Sequence, residues 1–364
     1  MSGDRLESAL VVGSGLMGTS VAMVLRANGV VVHLDDRDRA TVELAVALGA
    51  GEPRTRSTPR VDLAIIAVPP ASVAVVLAEL QRQDVAAAYT DLASTKGAAQ
   101  RAVDTIADPT TFVGGHPLAG RELSGPGAAR ADLFTGRPWV LTPSVRTDPA
   151  ALARATALVE LCEAIPVLMD PHTHDLAVAL VSHTPQVLAS LVAARLVDAD
   201  PDAVGLAGQG LLDVTRIAAS DPRLWTDILA SNATAVADVL AAVAADLDDV
   251  VRALRAVATD PADPEALEPV TAALRAGNEG RAQLPGKHGQ PPARWTPVPV
   301  LVPDEPGELA RLLADVGRSG INLEDMRIEH SPGQAVGLVE LAVRPPNAAE
   351  LVAQLRALGW IVHW

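Results

Sequence analysis

The order of patterns along the chain predicts an α/β domain built on a parallel sheet, then an all-α domain, then a small ferredoxin-like βαββαβ domain. Three observations carry this expectation. Apolar strand runs alternate with helical stretches over residues 1–147, Ala/Val/Leu-rich helical sequence dominates 148–285, and short strands return in 298–364, after a Pro- and Gly-rich linker at 286–297.

Residues 9–12 form a short apolar run. They are followed by Gly13-Ser14-Gly15-Leu16-Met17-Gly18, a helical segment, and a β-branched run at 30–34 that ends at Asp35. Strand, glycine turn, helix, strand and acid in that order make a Rossmann-type dinucleotide-binding unit. Gly13 permits the tight turn, Gly15 lets the backbone approach a pyrophosphate, and Gly18 lets helix and strand pack closely. Leu16 and Met17 open the helix whose unpaired N–H groups favour phosphate. Asp35 stands at roughly the ~20-residue spacing of the acid that accepts from the adenosine ribose hydroxyls. A carboxylate there repels a 2′-phosphate, so NAD is favoured over NADP; Arg37 and Arg39 moderate that preference, and Asp36 reads as solvent-exposed.

The alternation continues with a buried strand at 61–69 closing on Pro69, a helix at 72–83 and a strand at 86–92. Ligands in open parallel sheets gather beyond the carboxyl ends of strands, and Ser94 and Lys96 belong there. Ser94 is either a donor to a substrate hydroxyl or the N-cap of the next helix; Lys96 either contacts an anion or orders the loop. His116 follows in a run of Gly and Pro that suits a tight loop. A lone loop His is more often structural than catalytic, and its company is what makes His116 the candidate acid–base group. Residues 138–142 read as a closing strand.

From 148 the pattern turns helical, with a short strand at 165–169. A long helix at 175–196 is kinked by Pro185, and His183 just before the kink either faces a cavity or is a hydrogen-bonded core residue. Arg216 sits among apolar residues and needs a partner, either Asp213 on the same helical face or a bound carboxylate. The amphipathic helix at 232–257 suits a homodimer interface or an intradomain core. The last domain has no converging acid, base and nucleophile and reads as a binding module.

Formal net charge is −15, which argues against a nucleic-acid partner. The one cysteine, Cys162, permits no internal disulfide and fits a reducing compartment. No apolar run is read as reaching the roughly 18–20 residues of a bilayer span, and no secretory pattern opens the chain, so a cytoplasmic protein is expected. His172, His174 and Asp175 lack a further convergent ligand, so no metal is expected and loop and cap roles suffice.

Several ordered stretches together resemble the prephenate dehydrogenase family, which includes the arogenate dehydrogenases. They are the 13–18 glycine turn, Asp91-Leu92-Ala93-Ser94-Thr95-Lys96, Gly115-His116-Pro117-Leu118-Ala119-Gly120, His174-Asp175, Ser182-His183-Thr184-Pro185, and Asp213-Val214-Thr215-Arg216-Ile217-Ala218 with Ser220-Asp221-Pro222 and Trp225. Residues 302–309 and Gly320-Ile321-Asn322 look like an ACT domain, the amino-acid-sensing module of some members. The resemblance implies oxidative decarboxylation of prephenate to 4-hydroxyphenylpyruvate with NAD, in tyrosine biosynthesis. It implies His116 as acceptor of the 4-hydroxyl proton, Ser94 as hydrogen-bonded to the same region and orienting His116, Arg216 as holder of a substrate carboxylate, and His183 as a pocket residue. It also implies tyrosine as an effector acting through Pro306, Gly307 and Asn322. One position departs: the family often reads Ser-His-x-Pro-His, and the last residue here is Gln186. Gln186 and Arg121, the latter either a carboxylate contact or solvated, therefore leave arogenate as the alternative substrate. The β-hydroxyacid dehydrogenases are a weaker alternative, because the second half offers no suitably placed helical Lys. A non-catalytic amino-acid sensor is the alternative from another class.

Overall fold

The computed structural model describes residues 6–120, 123–260, 266–284, 295–330 and 335–364. Arg121 and most of the 286–297 linker lie outside the described residues. The chain divides into two compact units, 1–244 and 245–364.

The first unit opens with β1 (Ser8–Val12), α1 (Leu16–Ala27), β2 (Val31–Asp35), α2 (Arg39–Ala47), β3 (Glu52–Pro53) and β4 (Val61–Ile66). Then come α3 (Val73–Arg82), β5 (Ala86–Asp91), α4 (Gly97–Ile106), β6 (Phe112–Pro117) and β7 (Pro138–Thr142). The eight-stranded sheet, completed by β8 (Ile165–Leu168), has the order β3-β2-β1-β4-β5-β6-β7-β8, and every neighbouring pair is parallel except β6 with β7. Its central strands are buried on both sides, as a parallel sheet requires: Leu10, Ile65 and Ile66 are buried among the helices.

The boundary expected at 147 falls inside this layer. Helix α5 (Pro149–Leu161) packs Ala151, Ala155, Leu158 and Val159 into the same core as β1 and β2, and β8 (Ile165–Leu168) extends the sheet. Cys162 is buried in that core, where burial pushes its thiol up to about 12. The sheet domain therefore runs to about residue 168.

The 175–196 helix is realised as α6 (Pro171–Val178), a π-helical turn (Ala179–His183) and α7 (Thr184–Ala194). Pro185 has no N–H to give the preceding turn, and a π turn absorbs the mismatch. By length and composition the stretch Pro171–Ala194 would also fit a bilayer span, contrary to the sequence expectation. It nevertheless buries His174, Asp175 and His183, which gives it a protein partner on that side. Short helices α8 (Pro201–Val204) and α9 (Gln209–Thr215) follow, then α10 (Pro222–Ser231) and α11 (Ala233–Thr259), which meet at 97° about Asn232. Along α11 the chain passes from the first unit to the second.

The second unit holds α12 (Glu268–Ala282), β9 (Thr296–Pro303), α13 (Glu308–Arg318), β10 (Asp325–His330), β11 (Val336–Val343), α14 (Pro345–Ala357) and β12 (Ile361–Val362). From β9 onward this is the βαββαβ order, with an antiparallel sheet β10-β11-β9-β12. Alternation along β9 sends Val298, Val300 and Val302 inward against Leu312, Val316, Leu351 and Leu355. Asp315 is buried beneath Trp360, whose Nε1 donates to Oδ2 at 2.8 Å, and Arg311 lies 3.9 Å above that ring.

Candidate functional site

The glycine turn, Ser94 and His116 lie at the carboxyl edge of the sheet. After β1, the left-handed Gly13 (φ +100°) packs so tightly that an added Cβ would lie 2.3 Å from the Ala67 carbonyl oxygen. At Gly18 a Cβ would lie 1.9 Å from the Gly13 oxygen. Internal packing dictates both glycines. Gly15 differs: an added Cβ meets nothing within 4 Å, so the fold itself gives no reason for glycine there. Close approach of something outside the chain does give one, and no side chain caps the first turn of α1 above it. The turn fits a pyrophosphate. Leu16 and Met17 open α1, and Pro69 stands exposed after β4.

The two adjacent acids point in different directions. Asp35 turns away and pairs with Arg54 at 3.1 Å, while Asp36 Oδ2 accepts from the Ser14 N–H at 2.7 Å. Strand pleating sends neighbouring side chains to opposite sides, and Asp36, just beyond β2, is the one facing the glycine turn. Asp35 instead borders a cavity of about 730 Å³ that Arg54, Arg56 and Arg60 also line; none of the residues around His116 takes part in it.

His116, expected in a loop, is instead the penultimate residue of β6, opposite Val140 of β7. On its other side, β5 and β6 pair only at Tyr89–Phe112 and Thr90–Val113. Beyond that point a buried ion pair replaces the ladder. Lys96 Nζ donates to Asp91 Oδ2 and, at 2.7 Å, to the Gly115 carbonyl; Asp91 Oδ1 accepts from the Gly115 N–H at 2.9 Å. Both backbone groups of Gly115 are thus held by side chains. A Cβ on Gly114 would lie 2.4 Å from Thr142 Oγ1, and one on Gly115 would lie 2.5 Å from the Asp91 carbonyl oxygen. Burial pulls the Lys96 ammonium down, opposed by Asp91 and then Asp175. Of the two roles open to Lys96, ordering the loop is the one observed.

From the helical side, Asp175 accepts from the Lys96 and Gly97 N–H groups, each at 2.8 Å, and so caps α4. Ser94, an alternative cap in the sequence, is not used in this way; α4 has no side-chain cap of its own, and Ser94 sits half-buried in the β5–α4 loop. Asp175 Oδ1 also bonds His174 Nδ1 at 2.8 Å, and His174 Nε2 lies 2.8 Å from His116 Nδ1. The partner that orients His116 is therefore His174, where the resemblance implied Ser94. Burial, then the neighbouring His174, Lys96 and His183, hold His116 well below the ordinary imidazole range, so it is neutral at pH 7. Burial pushes the Asp175 carboxyl up, but the bonds from His174, Lys96 and Gly97 outweigh it and keep it below its usual value.

His183 is buried, 3.2 Å from the Asn232 amide, with Trp225 edge-on at 6.1 Å. Burial depresses its pKa to about 4, so it too is neutral. Gln186 is buried and donates to the Ile217 carbonyl at 3.0 Å, which ties α7 to the turn carrying Arg216. Arg216 itself is exposed, and Asp213 accepts from Gln209 at 2.9 Å. In the second unit Gly307 (φ +95°) starts α13 beside exposed Pro306, and Asn322 bonds Glu324 at 3.3 Å. A cavity of about 240 Å³ in that unit is lined by Trp295, Met326, Arg327 and Glu340 rather than by those three. Among the described residues, no group of three His, Cys, Asp or Glu side chains could hold a metal ion.

Two family models match the chain: "Prephenate dehydrogenase, nucleotide-binding domain" over residues 21–168 and "Prephenate dehydrogenase, dimerization domain" over 170–265. A relative from Streptomyces niveus, described as "Probable prephenate dehydrogenase NovF", is 40% identical over 363 residues, covering 98% of this chain and 99% of its own. A prephenate dehydrogenase of Aquifex aeolicus, solved with hydroxyphenyl propionate and NAD+, is similar with a TM-score of 0.65 and 27% identity over 76% of this chain and 98% of that one. An arogenate dehydrogenase of Synechocystis gives 0.61 and 29% over 75% and 98%.

The brace under Gly115 makes a quantitative prediction. Lys96→Met strands the Asp91 carboxylate in the core and lowers stability by about 3–5 kcal/mol in urea unfolding. Combining it with Asp91→Asn costs less than the two single changes summed. Strict additivity would mean that the two side chains do not act as a pair.

Proposed function

Since the chain belongs to the prephenate dehydrogenase family, we propose that it oxidatively decarboxylates prephenate to 4-hydroxyphenylpyruvate, the aromatising step of tyrosine biosynthesis. The observation that carries this is His116, held neutral on the same sheet edge as the glycine turn. NAD+, when bound, supplies the hydride acceptor. His116 accepts the 4-hydroxyl proton as hydride leaves the carbinol carbon, and loss of the ring carboxylate as CO₂ completes the aromatic ring. Ser94 bonds the same hydroxyl. Arg216 holds a substrate carboxylate through its planar fork, and the Gln186–Ile217 bond steadies the turn that carries it. His183, held by Asn232, lines the pocket as a neutral polar group.

Gly13, Gly15, Gly18, Leu16, Met17 and Pro69 form the cofactor cradle, and the ribose hydroxyls go to Asp36 in place of Asp35. The contact from Asp36 to the Ser14 N–H supports that reassignment. A homodimer through the helical domain is supported by the apolar side chains left exposed there, among them Leu180, Val181, Leu191 and Leu206. Tyrosine acting through the C-terminal module, at Pro306, Gly307 and Asn322, is the regulatory part of the proposal.

Steady-state nicotinamide reduction tests it with prephenate and with arogenate, each against NAD+ and NADP+. Prephenate with NAD+ is expected to give the highest kcat/KM, and His116→Asn to lower kcat by about 10²–10⁴-fold. Arogenate winning would move the specificity, and no turnover with either would refute the function. In the same assay Asp36→Asn is expected to raise the KM for NAD+ about tenfold or more, on the order of one charge-assisted hydrogen bond, with Asp35→Asn changing it less. The reverse order would return the ribose to Asp35.

A further inference from the structure

The chain Asp175–His174–His116 fixes more than orientation. Asp175 is a carboxylate that already accepts two backbone N–H groups, so toward His174 Nδ1 it can only accept a third hydrogen bond. His174 then carries its proton on Nδ1, which leaves Nε2 as the acceptor toward His116. That acceptor lies 2.8 Å from His116 Nδ1, so His116 must place its own proton on Nδ1 and leave Nε2 unprotonated. Each ring dictates the tautomer of the next, starting from the carboxylate.

We infer that His174 and Asp175 are positioning residues that lock His116 in the Nδ1–H tautomer, presenting Nε2 as the proton acceptor and sharing the charge that arrives there. The inference rests on the proposed dehydrogenase reading for its catalytic consequence, although the tautomer itself does not. The proton balance is simple. The substrate O–H bond breaks and an Nε2–H bond forms on His116; its Nδ1 proton then shifts to His174 Nε2, and the positive ring comes to rest against Asp175. No external acid, base or oxidant is needed for the proton shift; the reverse shift returns the charge to His116, whose Nε2 proton then leaves to solvent. The other charged or titratable groups facing His116 are Lys96 and His183. Lys96, although paired with Asp91, disfavours positive charge on His116, and His183 is neutral, so neither supplies the stabilising negative charge. The tie also reaches across the fold, because the same Asp175 caps α4 and its backbone carbonyl accepts from Asn232 at 2.7 Å.

The test is nitrogen-15 NMR of the histidine side chains in the full-length protein without ligands, together with kinetics on prephenate. In the wild type, His116 is expected to carry its proton on Nδ1. In His174→Phe it shifts to the Nε2–H form, and kcat falls at least about tenfold while the KM for prephenate changes less, a split that general damage would not produce. His174→Gln retains an oxygen able to accept from Nδ1; it is expected to keep the wild-type tautomer and recover part of kcat, and this guards against His174→Phe failing to fold. Nε2–H on His116 in the wild type, or unaltered turnover in His174→Phe, overturns the proposal. If the wild type carries the Nδ1–H tautomer but does not turn over prephenate, the tautomer lock stands and the dehydrogenase reading falls.

Discussion

Everything at the sheet edge depends on one buried ion pair. Strands β5 and β6 stop exchanging backbone hydrogen bonds two residues before Gly115, and there Asp91 and Lys96 take over as the ladder. A buried ion pair is weak evidence for stability in general, because desolvating two charges offsets much of their attraction. Here the remaining capacity is used locally: Asp91 also accepts from the Ala93 N–H, and Lys96 also donates to the Gly115 carbonyl. The pair thereby converts a diverging strand end into a fixed platform for His116. Gly114 and Gly115 are the corollary, since a Cβ at either would collide with the groups that make the platform.

A second carboxylate joins the helical layer to that platform. Asp175 ends α4 electrostatically, orients His174, and through it reaches His116. Gly97 is small for the same reason, since a Cβ there would lie 2.9 Å from Asp175 Oδ2. The arrangement explains why burial depresses the imidazoles without orphaning them: His116 and His183 each keep a hydrogen-bond partner while remaining neutral. Neutral bases suit proton abstraction that accompanies hydride loss, where an imidazolium would repel the developing cation.

Local patterns were sufficient for the glycine turn, the alternation of strands and helices, and the βαββαβ ending, because each is written in neighbouring residues. His116 stood out by the company it keeps, although it was read as a loop residue and lies within β6. What stayed illegible came from distance or from half-turn ambiguities. Asp35 and Asp36 are adjacent, and spacing alone does not say which of them lies on the glycine-turn side of the strand end. His174 and Asp175 were dismissed as cap residues; the cap proved to belong to a helix 78 residues earlier in the chain, which no local signal reports. Helix α5 and strand β8 were assigned to the wrong domain because their periodicity says nothing about which layer they cover. Gln186 looked like a lost functional group, and its amide is engaged with the Ile217 backbone instead.

The central claim is that His116 takes a proton from the carbinol whose hydrogen leaves as hydride. The most direct measurement uses prephenate carrying deuterium on the carbinol carbon, with the label followed into the nicotinamide in the wild type and in His116→Asn. The account predicts deuterium in the reduced cofactor, one CO₂ per turnover, and a primary isotope effect on kcat that is larger in the variant because hydride loss has become the slow step. Deuterium absent from the cofactor, or an isotope effect and rate unchanged by the substitution, would contradict it.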